Sequence, residues 1–435
     1  MKRSRLLRLG LFQLAAGSTS VIFLGVVNRV MRVELGIDLL VVSILVGGGH
    51  YLGALVAIPF GYYSDSHRLA GYRRTAYALG GAFVTAVLLA ASPFVAVWLS
   101  QHQTLPGFAL GFAFFLLEGL STFVAGTAYL ALITDLTTES ERGPATGLVW
   151  TLLMVGIITT GIGTGVILSR YSFSAFLTLT VVGAAFALLL ALAALLGQEP
   201  RAASGAPADR PGPGLAASLR VIVRSAQTRW FAAFLLLALF AYFMQDVILE
   251  PFGGEVFALD AAHTARFNAY MGTGVILGML LGGLALIPRF GKPRITALGC
   301  WLQGGAFGLL AYASIAHQAH WLSLAITLLG FGAGLFTVGG VALMMDMTST
   351  EQTGLFVGAW TLIQALAKGP ASIAGGALQT GLSALGASPA VAYGGVFAAE
   401  GLGVLVAVYL LSRVGVAAFR QEVAGFGALA GQAMD

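Results

Sequence analysis

The sequence predicts an all-α membrane protein of 12 transmembrane helices in two pseudo-symmetric six-helix bundles. Three observations lead there: apolar stretches of spanning length fill the chain, basic residues fall on alternate connections between them, and short motifs recur in corresponding places of the two halves. Only helices and closed barrels satisfy their backbones in lipid. The apolar runs reach about 20 residues, the length a helix needs to cross a bilayer, and they lack the period-two alternation of strands.

Composition supports this class before any motif does. Charged residues make up 9% of the chain and hydrophobic ones 58%, against roughly 25% charged in a soluble domain. Surface so poor in charge cannot be covered by water-facing side chains. The 59 glycines let helix backbones approach closely where lipid gives no hydrophobic drive to pack them. The net charge of +5 does not indicate nucleic acid, because the arginines flank spans and form no recognition surface. Cys300 is the single cysteine, so an internal disulfide framework is excluded. After Met1-Lys2-Arg3 the first apolar run continues to spanning length, which argues against a cleavable signal peptide.

The expected spans are 10–33, 39–63, 74–99, 107–133, 143–168, 173–197, 229–251, 265–288, 293–316, 320–346, 355–381 and 389–412. Basic residues cluster at the N-terminus (Lys2, Arg3, Arg5, Arg8) and after span two (Arg68, Arg73, Arg74). They recur after span four (Arg142), span six (Arg201, Arg210, Arg220, Arg224, Arg229), span eight (Arg289, Lys292, Arg294) and span twelve (Arg413, Arg420). The connections on the opposite side hold only Arg170 and Arg266. Positive residues stay inside, so both termini are expected in the cytoplasm. The stretch 198–228 is the only long polar connection and carries Pro200, Pro207, Pro211 and Pro213, as a flexible linker would. It divides the chain into an N-terminal bundle over 1–197 and a C-terminal bundle over 229–412, with a cytoplasmic tail over 413–435.

A repeat supports the division. Asp135-Leu-Thr-Thr-Glu-Ser-Glu-Arg-Gly143 follows span four, and Asp346-Met-Thr-Ser-Thr-Glu-Gln-Thr-Gly354 follows span ten. Each leads into a Trp-Thr pair, Trp150-Thr151 and Trp360-Thr361. Glu34-Leu-Gly36 ends span one, and Glu250-Pro-Phe-Gly253 ends span seven. Two similar six-helix halves joined by a central linker describe the major facilitator architecture.

Two groups of residues carry the candidate chemistry. The first lies between spans two and three, Gly61-Tyr-Tyr-Ser-Asp65-Ser-His-Arg68-Leu-Ala-Gly71-Tyr-Arg73-Arg74, and resembles the facilitator loop motif. Asp65 can face the positive end of a neighbouring helix, and Arg73 and Arg74 can pair with Asp135, Glu139 or Glu141. With Gly61 and Arg142, these residues form an expected cytoplasmic gate; the simpler reading makes the arginines positive-inside anchors. The second group is Asn28, Arg29, Arg32 and Glu34 at the end of span one and Gln245, Asp246 and Glu250 at the end of span seven. Ionisable groups at membrane depth are costly and face a cavity or one another. Asp246 and Glu250 are four apart and should share a helix face, as should Arg29 and Arg32. An arginine–carboxylate lock between the halves, gating or touching ligand, is the expectation, with simple solvation at the interface as its alternative.

Other candidates stand alone in their spans. His50 in span two and Glu118 in span four lie mid-span; a neutral histidine can ligate a metal, including the magnesium of a chlorin, though a lone buried one more often only hydrogen-bonds. Glu118 can carry a proton, touch substrate or pair with a neighbouring helix. Lys368-Gly369-Pro370 should kink span eleven, and Glu400 lies in span twelve. There is no Gly-rich phosphate loop with Lys-Ser/Thr and no zinc-spaced Cys/His cluster. Neither ATP-driven pumping nor a metal site is expected, and the chain reads as a non-enzyme.

These elements together resemble one family. Asn28-Arg-Val-Met-Arg-Val-Glu-Leu-Gly36, Ser64-Asp-Ser-His67 with Gly71-Tyr-Arg-Arg74, Leu148 to Ile157, Gln245-Asp-Val-Ile-Leu-Glu-Pro-Phe-Gly-Gly-Glu-Val-Phe257, and Gly358-Ala-Trp360 with Gln364-Ala365 are similar to segments of the PucC/LhaA family. This is the bacteriochlorophyll-delivery branch of the major facilitator superfamily. Tyr72 and Arg32 depart from its common pattern. The resemblance implies a light-harvesting antenna assembly factor that binds or delivers (bacterio)chlorophyll in a bacterial photosynthetic inner membrane. It implies membrane lipid, antenna polypeptides and pigment-synthesis enzymes as partners, no nucleic acid, and a (bacterio)chlorophyll ligand in place of a catalytic cofactor. Gln245, Asp246, Glu250, Asn28 and His50 are the ligand candidates. A secondary transporter of a small substrate, proton-coupled through Glu118 or Asp246, is the alternative.

Overall fold

Backbone groups in lipid must bond within their own segment, and this chain meets that demand with helices almost throughout. The structure is a computed structural model and describes residues 3–55, 67–69, 71–168, 170–199, 226–346 and 353–415. Among these, 10 helices are long and apolar enough to cross a membrane. The described part of span two, Leu39–Leu55, is shorter, and span eleven is one helix over Thr353–Ala384 that passes through Pro370.

Short polar residues set the helix starts. Asp38, Thr104, Ser172, Asp260 and Ser388 each accept a backbone N–H of the first turn, heading spans two, four, six, eight and twelve. Such caps satisfy donors that a helix leaves open. Span five begins with a reciprocal cap between Thr138 and Glu141.

Among the described residues four spans depart from regular α-helix, spans two and eight through π-helical turns at Ser43–Gly49 and Gly282–Leu286. Span one, Ser4–Glu34, widens into π-helical turns over Val21–Val27 and Val30–Glu34. Span seven is broken: Ala226–Phe243 gives way to a tight turn at Met244–Asp246, and a short helix follows over Leu249–Phe257. The expected continuous span over 229–251 is corrected here. Nor are the two segments ending spans one and seven conformational equivalents, since Gly36 takes a positive φ of 68° whereas Gly253 is buried within the short helix. The left-handed stop after span seven is Ala258.

Each half closes on itself at one face. The Arg5 guanidinium donates to the Gln198 side chain at 2.8 Å, and Arg8 Nε donates to the Ala193 carbonyl at 2.5 Å. Gly415 N–H donates to the Gln227 side chain at 2.7 Å. The start of span one thus lies beside the end of span six, and the start of span seven beside the end of span twelve. This is the terminus face; the opposite one is the far face. The linker expected at 198–228 lies largely outside the described residues, and the span-seven helix starts at Ala226.

The buried apolar side chains differ between halves. The second half has one cluster running from Phe231 to Leu411. The first half has two, a far one around Val27, Val46 and Phe115 and a terminus-side one around Leu9, Tyr129 and Ala194. In span four the break falls between Phe115 and Ala125. Glu118, Ser121 and Thr122 occupy that interval, and Thr85 of span three bonds to Ser121 at 2.9 Å and Thr122 at 3.1 Å. The halves meet toward the far face, where Val247 and Ala261 join the first half's cluster and Leu39 joins the second half's. Large apolar side chains such as Phe83, Phe94, Leu189, Leu284 and Leu402 remain on the outside, where lipid is their solvent.

Candidate functional site

The far ends of spans one and seven form a seam. Arg32 pairs with Glu255, whose second oxygen accepts from the Tyr393 hydroxyl at 3.1 Å. Arg29 is buried, pairs with Glu34 at 2.7 Å, and donates across to the Leu259 carbonyl at 2.7 Å. Asn28 donates to the Val247 carbonyl at 2.7 Å. An arginine–carboxylate contact between halves is present, but its acid is Glu255 rather than Asp246 or Glu250. The broken span explains the difference. The expectation that Asp246 and Glu250 share a face assumed one unbroken helix, and the turn at Met244–Asp246 separates them. Glu250 turns toward span eight and accepts from Asn268 at 2.6 Å. Asp246 turns toward span two and accepts from the Tyr51 hydroxyl. Gln245 is buried in the turn itself.

Deeper along span two lies the second group. His50 Nδ1 meets Glu118 Oε2 at 2.6 Å, and Thr122 donates to Glu118 Oε1 at 2.9 Å. Both members are buried. The pair depends on Gly119, where a Cβ would collide with the His50 carbonyl oxygen; any side chain there would push span four away from span two. Next to His50, Tyr51 reaches across the halves to Asp246. Lys368 of span eleven lies 4.5 Å from the Phe243 ring centre and 5.8 Å from that of Tyr51, whose hydroxyl bonds Asp246. Two acids, a lysine and a histidine therefore gather between spans two, four, seven and eleven, walled by Tyr51, Phe123 and Phe243.

Sequence reasoning named His50, Glu118 and Asp246 separately and did not find Tyr51 as their link. Lys368 carried a usable signal, a lone lysine inside an apolar span, that was spent on the neighbouring proline. Asn268, Tyr393 and Glu199 gave none.

On the terminus face Arg74 and Asp135 approach to 3.4 Å. Gly61 and Asp65 of the expected gate lie outside the described residues, as does the side chain of Arg142. Glu199 does a job the sequence did not announce. Its carboxylate accepts the backbone N–H groups of Arg73 and Thr75, each at 2.7 Å, and that of Arg74, capping span three from the end of span six.

The arrangement seals the far face with polar bonds between halves and holds a polar, aromatic-walled cluster behind that seal. A solved bacterial homologue of the human lysosomal transporter Spinster, inward-facing and unoccupied, has the same fold, with a TM-score of 0.68 at 14% identity over 97% of this chain and 98% of that one. The molecule is a membrane protein of the transporter-like major facilitator fold.

Within that fold the particular kind is given by sequence. A protein-family model described as PUCC protein matches residues 26–419, and the chain belongs to this family, which is linked to photosynthesis and bacteriochlorophyll-related systems. The Bacteriochlorophyll synthase 44.5 kDa chain of Rhodobacter capsulatus is 33% identical over 425 residues, covering 94% of this chain and 95% of the relative. Protein PucC of Cereibacter sphaeroides is 33% identical over 414 residues, covering 91% of this chain and 88% of the relative.

Proposed function

We propose that this protein is a light-harvesting antenna assembly factor that binds or hands over (bacterio)chlorophyll, acting as a carrier rather than an enzyme. The observation that carries the reading is family membership across residues 26–419. The site is chemically suited to such a ligand. A chlorin is a large, flat, mostly apolar molecule with a few ring carbonyls and one metal, and a site for it needs greasy walls with a small number of placed polar groups. Tyr51, Phe123 and Phe243 supply walls, and His50, Asp246 and Lys368 supply polar groups. In this reading the protein sits in the photosynthetic inner membrane with its termini in the cytoplasm, by the positive-inside rule. Its partners are lipid, antenna polypeptides and pigment-synthesis enzymes.

Purification from a pigment-making host tests the reading. A chlorin should co-purify, antenna polypeptides should be found with it by mass spectrometry, and deletion should lower antenna levels. Protein free of chlorin together with normal antenna in the deletion strain overturns it.

A second reading, a proton-coupled transporter of a small substrate, draws on the His50–Glu118 pair and on the Tyr51–Asp246 bond that joins the halves. It requires flux in proteoliposomes that follows a pH gradient and is lost in Glu118→Gln.

A further inference from the structure

We infer that His50 Nε2 is the ligand for the metal of a chlorin bound between spans two, four, seven and eleven, with Glu118 as its positioning residue. This rests on the pigment reading above and goes beyond it by naming the atom that holds the pigment.

Nδ1 is the ring nitrogen engaged by Glu118, 2.6 Å from its Oε2, and with Glu118 as a carboxylate, which only accepts hydrogen bonds, the proton sits on Nδ1. Nε2 then carries the lone pair. Carboxylate–imidazole–metal is the arrangement by which ligating histidines are oriented and made more basic. Glu118 is itself fixed, since Thr122 donates to its other oxygen at 2.9 Å. The close approach of Gly119 to the His50 backbone keeps spans two and four together at this level.

The open end of the ring comes next. Among the described residues Nε2 has no hydrogen-bond partner. The histidine side chain keeps 8% of its surface, and Nε2 is not among the fully buried unpartnered atoms of the described residues, so this nitrogen keeps some exposed surface. Its flanks suit a macrocycle. The Tyr51 ring stands edge-on with its centre 5.0 Å from that of His50, and the Phe123 ring lies at 5.2 Å. Tyr51 is held by Asp246, and Lys368 lies beyond it, a cation within reach of a carbonyl or carboxylate on the macrocycle rim.

A metal already held by four ring nitrogens needs only one more. If His50 were instead protonated and merely an ion-pair partner of Glu118, Nε2 would donate and could not ligate.

The test uses the full-length protein in nanodiscs, titrated with a magnesium chlorin and with its metal-free counterpart. Absorption bands that respond to axial coordination are read alongside affinity. The metal-bearing form should bind at least about tenfold more tightly, with the coordination shift. In His50→Gln the ratio of the two affinities should fall to about one, and in Glu118→Gln it should fall about tenfold, the low end of second-shell effects. Added imidazole should restore both ratio and band shift in His50→Gly, which also shows that this variant folds. A ratio that persists in both His50 variants overturns the inference. Equal binding of the two chlorins by the unaltered protein overturns it while leaving the pigment reading in place. Binding of neither removes the pigment reading and the inference together.

Discussion

The two halves share a helical plan but differ inside. The second is filled by one continuous apolar core. The first is cut in two by a polar layer in which Glu118 joins His50 and Thr122, with Thr85 bonded to Ser121 and Thr122 beside it. The second half has an acid at depth as well, Glu400, but both of its oxygens are buried without a hydrogen-bond partner. Buried polar groups are stabilising only when their bonds are made, and cost free energy when they are not. The comparison teaches that the fold alone does not demand polar residues at mid-membrane. In the first half the members of this layer are bonded to one another, with His50 Nε2 left open.

Removing the centre of the layer should have the largest effect. Glu118→Leu leaves the His50 and Thr122 donors without their acceptor, and breaking such a buried pair costs about 3–5 kcal/mol. A clear drop in thermal midpoint in detergent is expected. Next comes the seam that joins the halves. Arg32→Ala should loosen the far face by about 2–5 kcal/mol, the cost of truncating one member of a bonded charge pair between two surfaces. A cysteine at Val247, buried in the seam, should then react with maleimide at least about tenfold faster; native Cys300 is buried and gives a low background. Exchanging the charges, Arg32→Glu with Glu255→Arg, should restore slow labelling. An unchanged rate would mean that this pair does not hold the seam.

The opposite sign is expected in the second half. Glu400→Met replaces an unbonded carboxyl with an apolar side chain of similar size and should raise the thermal midpoint, by about 1–3 kcal/mol in stability. If it destabilises as much as Glu118→Leu, the contrast between the halves is wrong.

The smallest effect concerns the far-face turn before span eight. Asp260 accepts the His263 backbone N–H at 2.8 Å and bonds its ring. Partial burial works to raise its pKa, but the His263 bonds and the Arg29 charge outweigh it and leave the carboxyl below its ordinary value. A depressed folded value means that the stabilisation is present above the unfolded pKa, about 3.9, and is lost as pH falls through the lower folded value. Asp260→Ala should cost about 0.5–2 kcal/mol at neutral pH, as for other N-caps, and the difference from the unaltered protein should vanish in acid.

Most of the fold was legible because its causes are long-range averages. Apolar length survives local irregularity, as the 10 helices of spanning length among the described residues show. The site was legible only in part, because its geometry hangs on local departures. Arg32 was found, and its partner was misassigned, since one turn at Met244–Asp246 rotates everything beyond it. The turn had a sequence marker in Pro251, which has no N–H for the Val247 carbonyl and whose ring would clash with it in an unbroken helix, and that signal went unused. His50 and Glu118 were each visible as an ionisable residue at depth, but a pairing between different spans leaves no trace in spacing. It becomes evident only with the contact at Gly119 that brings the spans together.

The cap that Glu199 places on span three has a consequence for how the chain can be divided. It is the last described residue before the connection to the second half, and its carboxylate is fastened to backbone that precedes it by more than a hundred positions. Tension on the tether between the halves therefore meets the root of span three and, through the Arg5 bond to Gln198, the start of span one as well as the end of span six. A break in the polypeptide beyond Glu199 leaves that fastening whole, and the two pieces made as separate chains should still find each other in the membrane.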